Sequence, residues 1–143
     1  MTRVDFYILD RSESDARLNF ACRLAEKAVA QAHQVLVNVS SDTEGSRLDE
    51  LLWTFAQGSF LPHRRHPSSS PDEGEPVLIG AGAEPPDEHT GLLINLSADV
   101  PSFFGRFERV AELVGADAAD KAAGRERFRY YRAQGCDLHT HQI

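Results

Sequence analysis

VDFYILDRSESDA, residues 4–16, decides how the rest of the chain is read. Its first six residues are apolar, aromatic or β-branched almost throughout, the pattern of a strand buried on both faces, and Asp10 ends it. Ser12 or Ser14 can then cap a helix. A covered strand that feeds directly into a helix belongs to an α/β sheet. The turn between the two, DRSESDA, holds no glycine.

Working outward, Leu18, Ala21, Cys22, Ala25, Ala28 and Val29 recur at three- and four-residue spacing and give that helix one apolar stripe. Val35 to Val39 reads as a second strand. Ser41 or Asp42 caps a second helix, with Leu48, Leu51, Leu52 and Phe55 as its stripe. PHRRHPSSSPDEGEP, 62–76, is rich in Pro and Ser and reads as a loop. VLI at 77–79 is a short strand, GAGAEPPDEHTG at 80–91 another loop, and LLINL at 92–96 a strong buried strand. Pro101 or Ser102 opens a helix with Phe103, Phe104, Phe107, Val110 and Leu113 on its apolar side, ended by Gly115. A last helix runs from about Asp117 to Gln134, with Gly135 as its left-handed cap. No internal repeat appears. The order β-α-β-α-β-β-α-α predicts an α/β domain, 1–143, with an open, mostly parallel sheet and helices on both faces.

With 143 residues, 41% hydrophobic and 26% charged, the chain has the composition of a soluble globular domain able to bury a core. No apolar run approaches the roughly 20 residues that span a bilayer. MTRVDFYILD has no signal-peptide layout, so a cytoplasmic protein is expected, with Cys22 and Cys136 as reduced thiols. The formal charge of -7 argues against a general nucleic-acid coat, since phosphate binding wants net positive charge.

An open α/β sheet invites a nucleotide or small-molecule enzyme working at the carboxyl ends of its strands, where Asp10, Asn38, Ser40 and Ser97 would lie. A phosphate cradle needs glycine in the first turn, and neither GxxxxGK[ST] nor GxGxxG occurs. Ser97, Asp99 and His89 could be imagined as a triad, but no nucleophile turn frames the serine. His63 with His66, or His139 with His141 and Cys136, have ligand-like spacing without a further ligand set, and a surface loop and a polar tail account for them. No metal, cofactor or catalytic residue is expected. The enzyme reading stands as the alternative, and the absence of a pocket at the strand ends would dismiss it.

The positive charge is concentrated instead in GRERFRYYRAQG, 124–135. Lys121, Arg125, Arg129 and Arg132 are spaced four, four and three apart, so they stack along one helix face. Phe128 lies on the edge of that stripe and Tyr131 beyond it. Guanidinium forks suit carboxylates, and a basic row near a helix carboxyl end suits the macrodipole. A solvated basic face beside core aromatics is the plainer reading of the same pattern.

FYILD (6–10), SRLDELLW (46–53), SFLPH (59–63) and RERFRYYRAQG (125–135) together resemble the chi subunit family of bacterial DNA polymerase III, in order and at the family's spacing over nearly the whole chain. The resemblance implies a mononucleotide-binding-like fold without the phosphate loop, and no catalysis. It implies a site for the acidic carboxyl-terminal tail of single-stranded DNA-binding protein at Arg125, Phe128 and Arg129, with Tyr131 and Arg132 as neighbours. Arg129 stands where the family commonly has lysine. It implies a second surface, at Trp53 and Phe60, for the psi subunit or an equivalent clamp-loader protein. In some relatives that surface engages a helicase. Direct DNA binding is not expected.

Overall fold

A computed structural model describes residues 2–11, 13, 15–56, 61–67 and 74–143. Among these described residues seven strands form one sheet: β1 (Arg3–Ile8), β2 (Val35–Asn38), β3 (His63–His66), β4 (Val77–Gly80), β5 (Leu92–Asn95), β6 (Arg109–Val114) and β7 (Asp137–Gln142). Three helices join them: α1 (Ala16–Ala30), α2 (Asp42–Thr54) and α3 (Ala118–Ala133). The strand order is β3-β4-β2-β5-β6-β1-β7, and every pairing is parallel. The sheet is therefore open, and more uniformly parallel than the sequence implied.

Two cores sandwich it. On one face the α1 stripe (Leu18, Ala21, Cys22, Ala25) and the α2 stripe (Leu48, Leu51, Leu52) pack on Val35, Val37, Ile79, Ile94 and Leu113. On the other, α3 and the 100–107 segment pack through Tyr131, Phe103 and Phe107 on Val4, Phe6, Leu36, Leu93 and Val110. Even and odd residues of each strand thus feed opposite cores, which is why the strands read as nearly continuous apolar runs.

Three stretches differ from the sequence reading. The expected helix from 101 to 114 is a short 3-10 turn, Phe104–Arg106, followed by β6. The i, i+3 recurrence of Phe107, Val110 and Leu113 imitated a helical stripe; RVAELV is a central strand buried at five of its six positions. The 62–76 loop contains β3, an edge strand made of His and Arg. The carboxyl-terminal segment, read as a polar tail, is the opposite edge strand β7. Polar edge strands escape hydrophobic periodicity because only one side of each is covered.

Helix boundaries follow their caps. Ser41 caps α2 by accepting from Glu44 N at 3.2 Å, and Asp117 caps α3 by accepting from Asp120 N at 2.7 Å. Ser12 and Ser14 lie outside the described residues, and α1 starts after Asp15 without a side-chain cap bond. Gly135 (φ 78°) ends α3 with two bonds, its own N–H to Arg132 O at 3.1 Å and Cys136 N–H to Tyr131 O at 3.2 Å. This is the Schellman pattern. α1 ends in the same pattern, Ala32 N–H to Val29 O and His33 N–H to Ala28 O, both 2.9 Å, but with alanine at φ 65°. Alanine pays a steric cost in that left-handed conformation, and glycine does not. Ala32→Gly is expected to stabilise the domain by about 0.5–1 kcal/mol, and Gly135→Ala to destabilise it by about 1 kcal/mol. Urea midpoints moving the same way in both variants would contradict this.

Candidate functional site

The last helix sits close to the sheet because Gly124 faces Val114: a Cβ there would come within 3.0 Å of the valine side chain. Beside this close approach, α3, β1 and β7 enclose a groove of about 280 Å³. Phe6, Ile8 and Phe128 supply its apolar surface, Lys121 and Arg125 its cations, and Thr140 and Gln142 its outer wall. Among the described residues no acidic side chain lines it. The rings of Phe6 and Phe128 meet edge-on, with centroids 5.3 Å apart, so the floor is fixed by aromatic packing. Cations above an apolar, acid-free floor suit an anionic group attached to an apolar one.

The stripe read from sequence divides. Lys121, Arg125 and Phe128 are brought to the groove. Arg129 is exposed, outside the groove lining, and paired with Glu126 one turn back. Arg132 is exposed and also outside the lining. Tyr131, set by the resemblance beside the tail, is fully buried under the helix and offers no surface to a ligand. Its hydroxyl donates to Glu112 Oε2 at 2.6 Å. Burial beside that carboxylate pushes the Tyr131 phenol up.

Glu112 and Arg127 are the pair that sequence reasoning missed. Glu112 is fully buried in β6, and Arg127 Nε donates to its Oε1 at 2.8 Å. Asn95 Nδ2 donates to Oε2 at 2.9 Å, and Arg127 Nη1 to Ala98 O at 3.1 Å. Burial pushes the Glu112 carboxyl up, against the pull of Arg127, Tyr131 and Asn95. The signal was present: Arg127 falls off the basic stripe, on the side of α3 that carries Tyr131 and Gly124. This network fixes the helix that carries the groove.

The strand carboxyl ends do form a hollow, of about 450 Å³, lined by Asn38, Ser40, Gly82, Ser97, Asp99 and Ser102 among others. Its shape therefore does not dismiss an enzyme. Several of its polar groups, however, are bonded within the protein. Asn38 Nδ2 donates to Asn95 Oδ1 at 3.0 Å, Gly82 N to Asn38 Oδ1 at 2.9 Å, and Ser97 Oγ lies 2.7 Å from Asp99 O. The four spaced histidines likewise have separate partners. His63 faces Leu61 O and Asp49, His66 the Glu84 carbonyl, His139 Asp137, and His141 Asp5. Among the described residues no three His, Cys, Asp or Glu side chains converge as metal ligands, and both cysteines are free.

Asp5 anchors the other side of β1. It is 1% exposed and accepts from Arg3, Arg109 (2.9 Å) and His141 (2.8 Å). Burial opposes its ionisation, but those three partners outweigh burial and hold the carboxyl down at about 2. A carboxylate depressed on folding stabilises the native state above its unfolded value of about 3.9. The contribution, about 2 kcal/mol, is lost as pH falls from about 4 through about 2. In Asp5→Asn the loss of stability over that window should flatten. An unchanged slope in acid-dependent urea unfolding would contradict the assignment.

Trp53, in the last turn of α2, is 55% exposed with its ring 4.7 Å from that of His63. Phe60 lies outside the described residues. Helix α2 packs on the face and edge of β3 and β4, whereas the groove lies on the other face, at β1 and β7. The two surfaces are thus on opposite faces and opposite edges of one sheet.

Fold and groove define an open parallel α/β domain whose first strand-to-helix turn holds no glycine, and whose distinctive chemistry is a basic, aromatic-floored groove beside its last helix. The family model for "DNA polymerase III chi subunit, HolC" matches residues 1–139. The chain is 45% identical over 143 residues to the Pseudomonas aeruginosa DNA polymerase III subunit chi, covering 100% of this chain and 98% of that one. It is 29% identical to the Haemophilus influenzae subunit (96% and 95% covered) and 28% identical to the Escherichia coli subunit (98% and 97% covered). The chain belongs to the DNA polymerase III chi subunit family. Chi is a replication accessory subunit, and no catalytic role is indicated for it.

Proposed function

We propose that the protein is a non-catalytic, cytoplasmic adaptor of the polymerase III holoenzyme. Its groove takes the acidic carboxyl-terminal tail of single-stranded DNA-binding protein. Its Trp53 surface, with Phe60, takes psi or an equivalent clamp-loader protein, and a helicase is the other partner suited to that surface. The observation that carries the reading is the groove itself: Lys121 and Arg125 stand over Phe6, Ile8 and Phe128 with no acid among them. Carboxylates of the tail meet the cations, and its apolar last residue meets the aromatic floor. Exposed ion pairs contribute only about 0–1 kcal/mol each, so the apolar anchor sets an affinity near the micromolar range, about 8 kcal/mol. The separation of the two surfaces supports simultaneous binding, and such tethering works by raising effective concentration.

Immobilised protein should retain full-length single-stranded DNA-binding protein and lose it when the tail's last residues are deleted. Retention of the truncated form, or of bare single-stranded DNA equally well, would refute the tail reading. Exposed aromatic residues that anchor interfaces cost about 2 kcal/mol or more on truncation. Trp53→Ala should therefore reduce co-purification of the clamp-loader component by tenfold or more while leaving tail binding intact.

A further inference from the structure

The outer edge of β7 adjoins the groove, and its register bears on how a peptide lies there. Among the described residues β7 pairs with β1 alone. Asp137 N donates to Thr2 O at 3.2 Å and Ile143 N to Ile8 O at 3.0 Å, so the odd-numbered residues of this strand turn their backbone toward β1. The even-numbered residues, Leu138, Thr140 and Gln142, therefore turn their N–H and C=O groups outward. Side chains alternate in step with the backbone. These same residues point to the α3 face, where Thr140 and Gln142 form the groove wall and Leu138 packs against the same core as Phe128. The edge carries no proline, lysine or bulge, three of the devices that keep a strand edge unpaired, and its one carboxylate, Asp137, stands at its first position.

We propose that the acidic tail binds by strand addition, pairing along β7 as an eighth strand. The inference rests on the tail-docking reading above and adds the backbone to it. An added strand lies about 4.8 Å beyond β7, within reach of a large terminal side chain that crosses the Thr140 wall onto Phe6, Ile8 and Phe128. Charge selects this occupant: the groove offers two cations and no acid, which a carboxylate-rich segment complements. Main-chain bonds supply sequence-tolerant affinity, and the groove reads the end.

The test is amide hydrogen exchange by NMR on the whole protein, saturated with a synthetic acidic peptide ending in an apolar residue. Exchange at Leu138, Thr140 and Gln142 should slow at least tenfold, while His139 and His141, which already face β1, change little. N-methylation at alternate peptide positions should cost at least tenfold in affinity at one set and nothing at the other. Perturbation of Arg125 and Phe128 with unchanged exchange at the three edge amides overturns strand addition and leaves tail docking standing. No perturbation at Arg125 or Phe128 overturns both. Edge protection that appears without peptide and grows with protein concentration assigns the edge to a second copy of the chain and overturns the proposal.

Discussion

Arg127→Met is expected to destabilise the domain by about 3–5 kcal/mol, because it strands a fully buried carboxylate. Glu112 sits at the centre of the sheet and its charge is offset by one guanidinium at 2.8 Å, with Tyr131 and Asn95 completing its hydrogen bonds. Removing the cation leaves a fully buried carboxylate without its counter-charge. Replacing both members, Glu112→Leu with Arg127→Met, should recover only part of that loss: the unpaired charge is gone, but the buried Tyr131 hydroxyl loses its acceptor. Urea unfolding of the three variants decides it. A single variant within about 1 kcal/mol of the parent, or a double variant worse than the single, would contradict the role given to this pair.

Arg125→Glu is expected to weaken tail-peptide binding by about a hundredfold, near 3 kcal/mol, with the unfolding midpoint unchanged. Arg125 is exposed, and among the described residues it lines the groove with Lys121 as its cationic neighbour. Reversal removes an attraction and installs a repulsion against each tail carboxylate. Arg129→Glu should cost less, because Arg129 stands outside the groove and is already paired with Glu126. The affinity should also fall as salt rises, since these pairs are exposed to screening. Equal losses for the two reversals by calorimetry would shift the docking surface along the helix, away from the aromatic floor.

What was legible in the sequence follows from where each element sits. The central strands β1, β2 and β5 are covered on both faces, so their apolar runs stand out, and the α1 and α2 stripes match the residues that pack. α3 was legible down to its caps, because Asp117 and Gly135 make local bonds. β6 was not: its buried glutamate looked like the polar side of a helix, and its partners lie 15 and 19 residues further on. β3 and β7 were hidden because edge strands can be made of His, Arg, Thr and Gln. The basic row was legible as a helical face. Its division into groove cations and an outer ion pair, with Arg127 beside it as a buried brace, depends on how α3 is seated, which sequence periodicity does not encode.

The most direct measurement is an amide chemical-shift map of the ¹⁵N-labelled protein during titration with the tail peptide. Shifts clustered on residues 121–128 of α3, 6–8 of β1 and 140–142 of β7 are the expected result. Shifts clustered instead at Asn38, Gly82 and Ser97 to Ser102, or none at saturating peptide, would contradict docking in the groove.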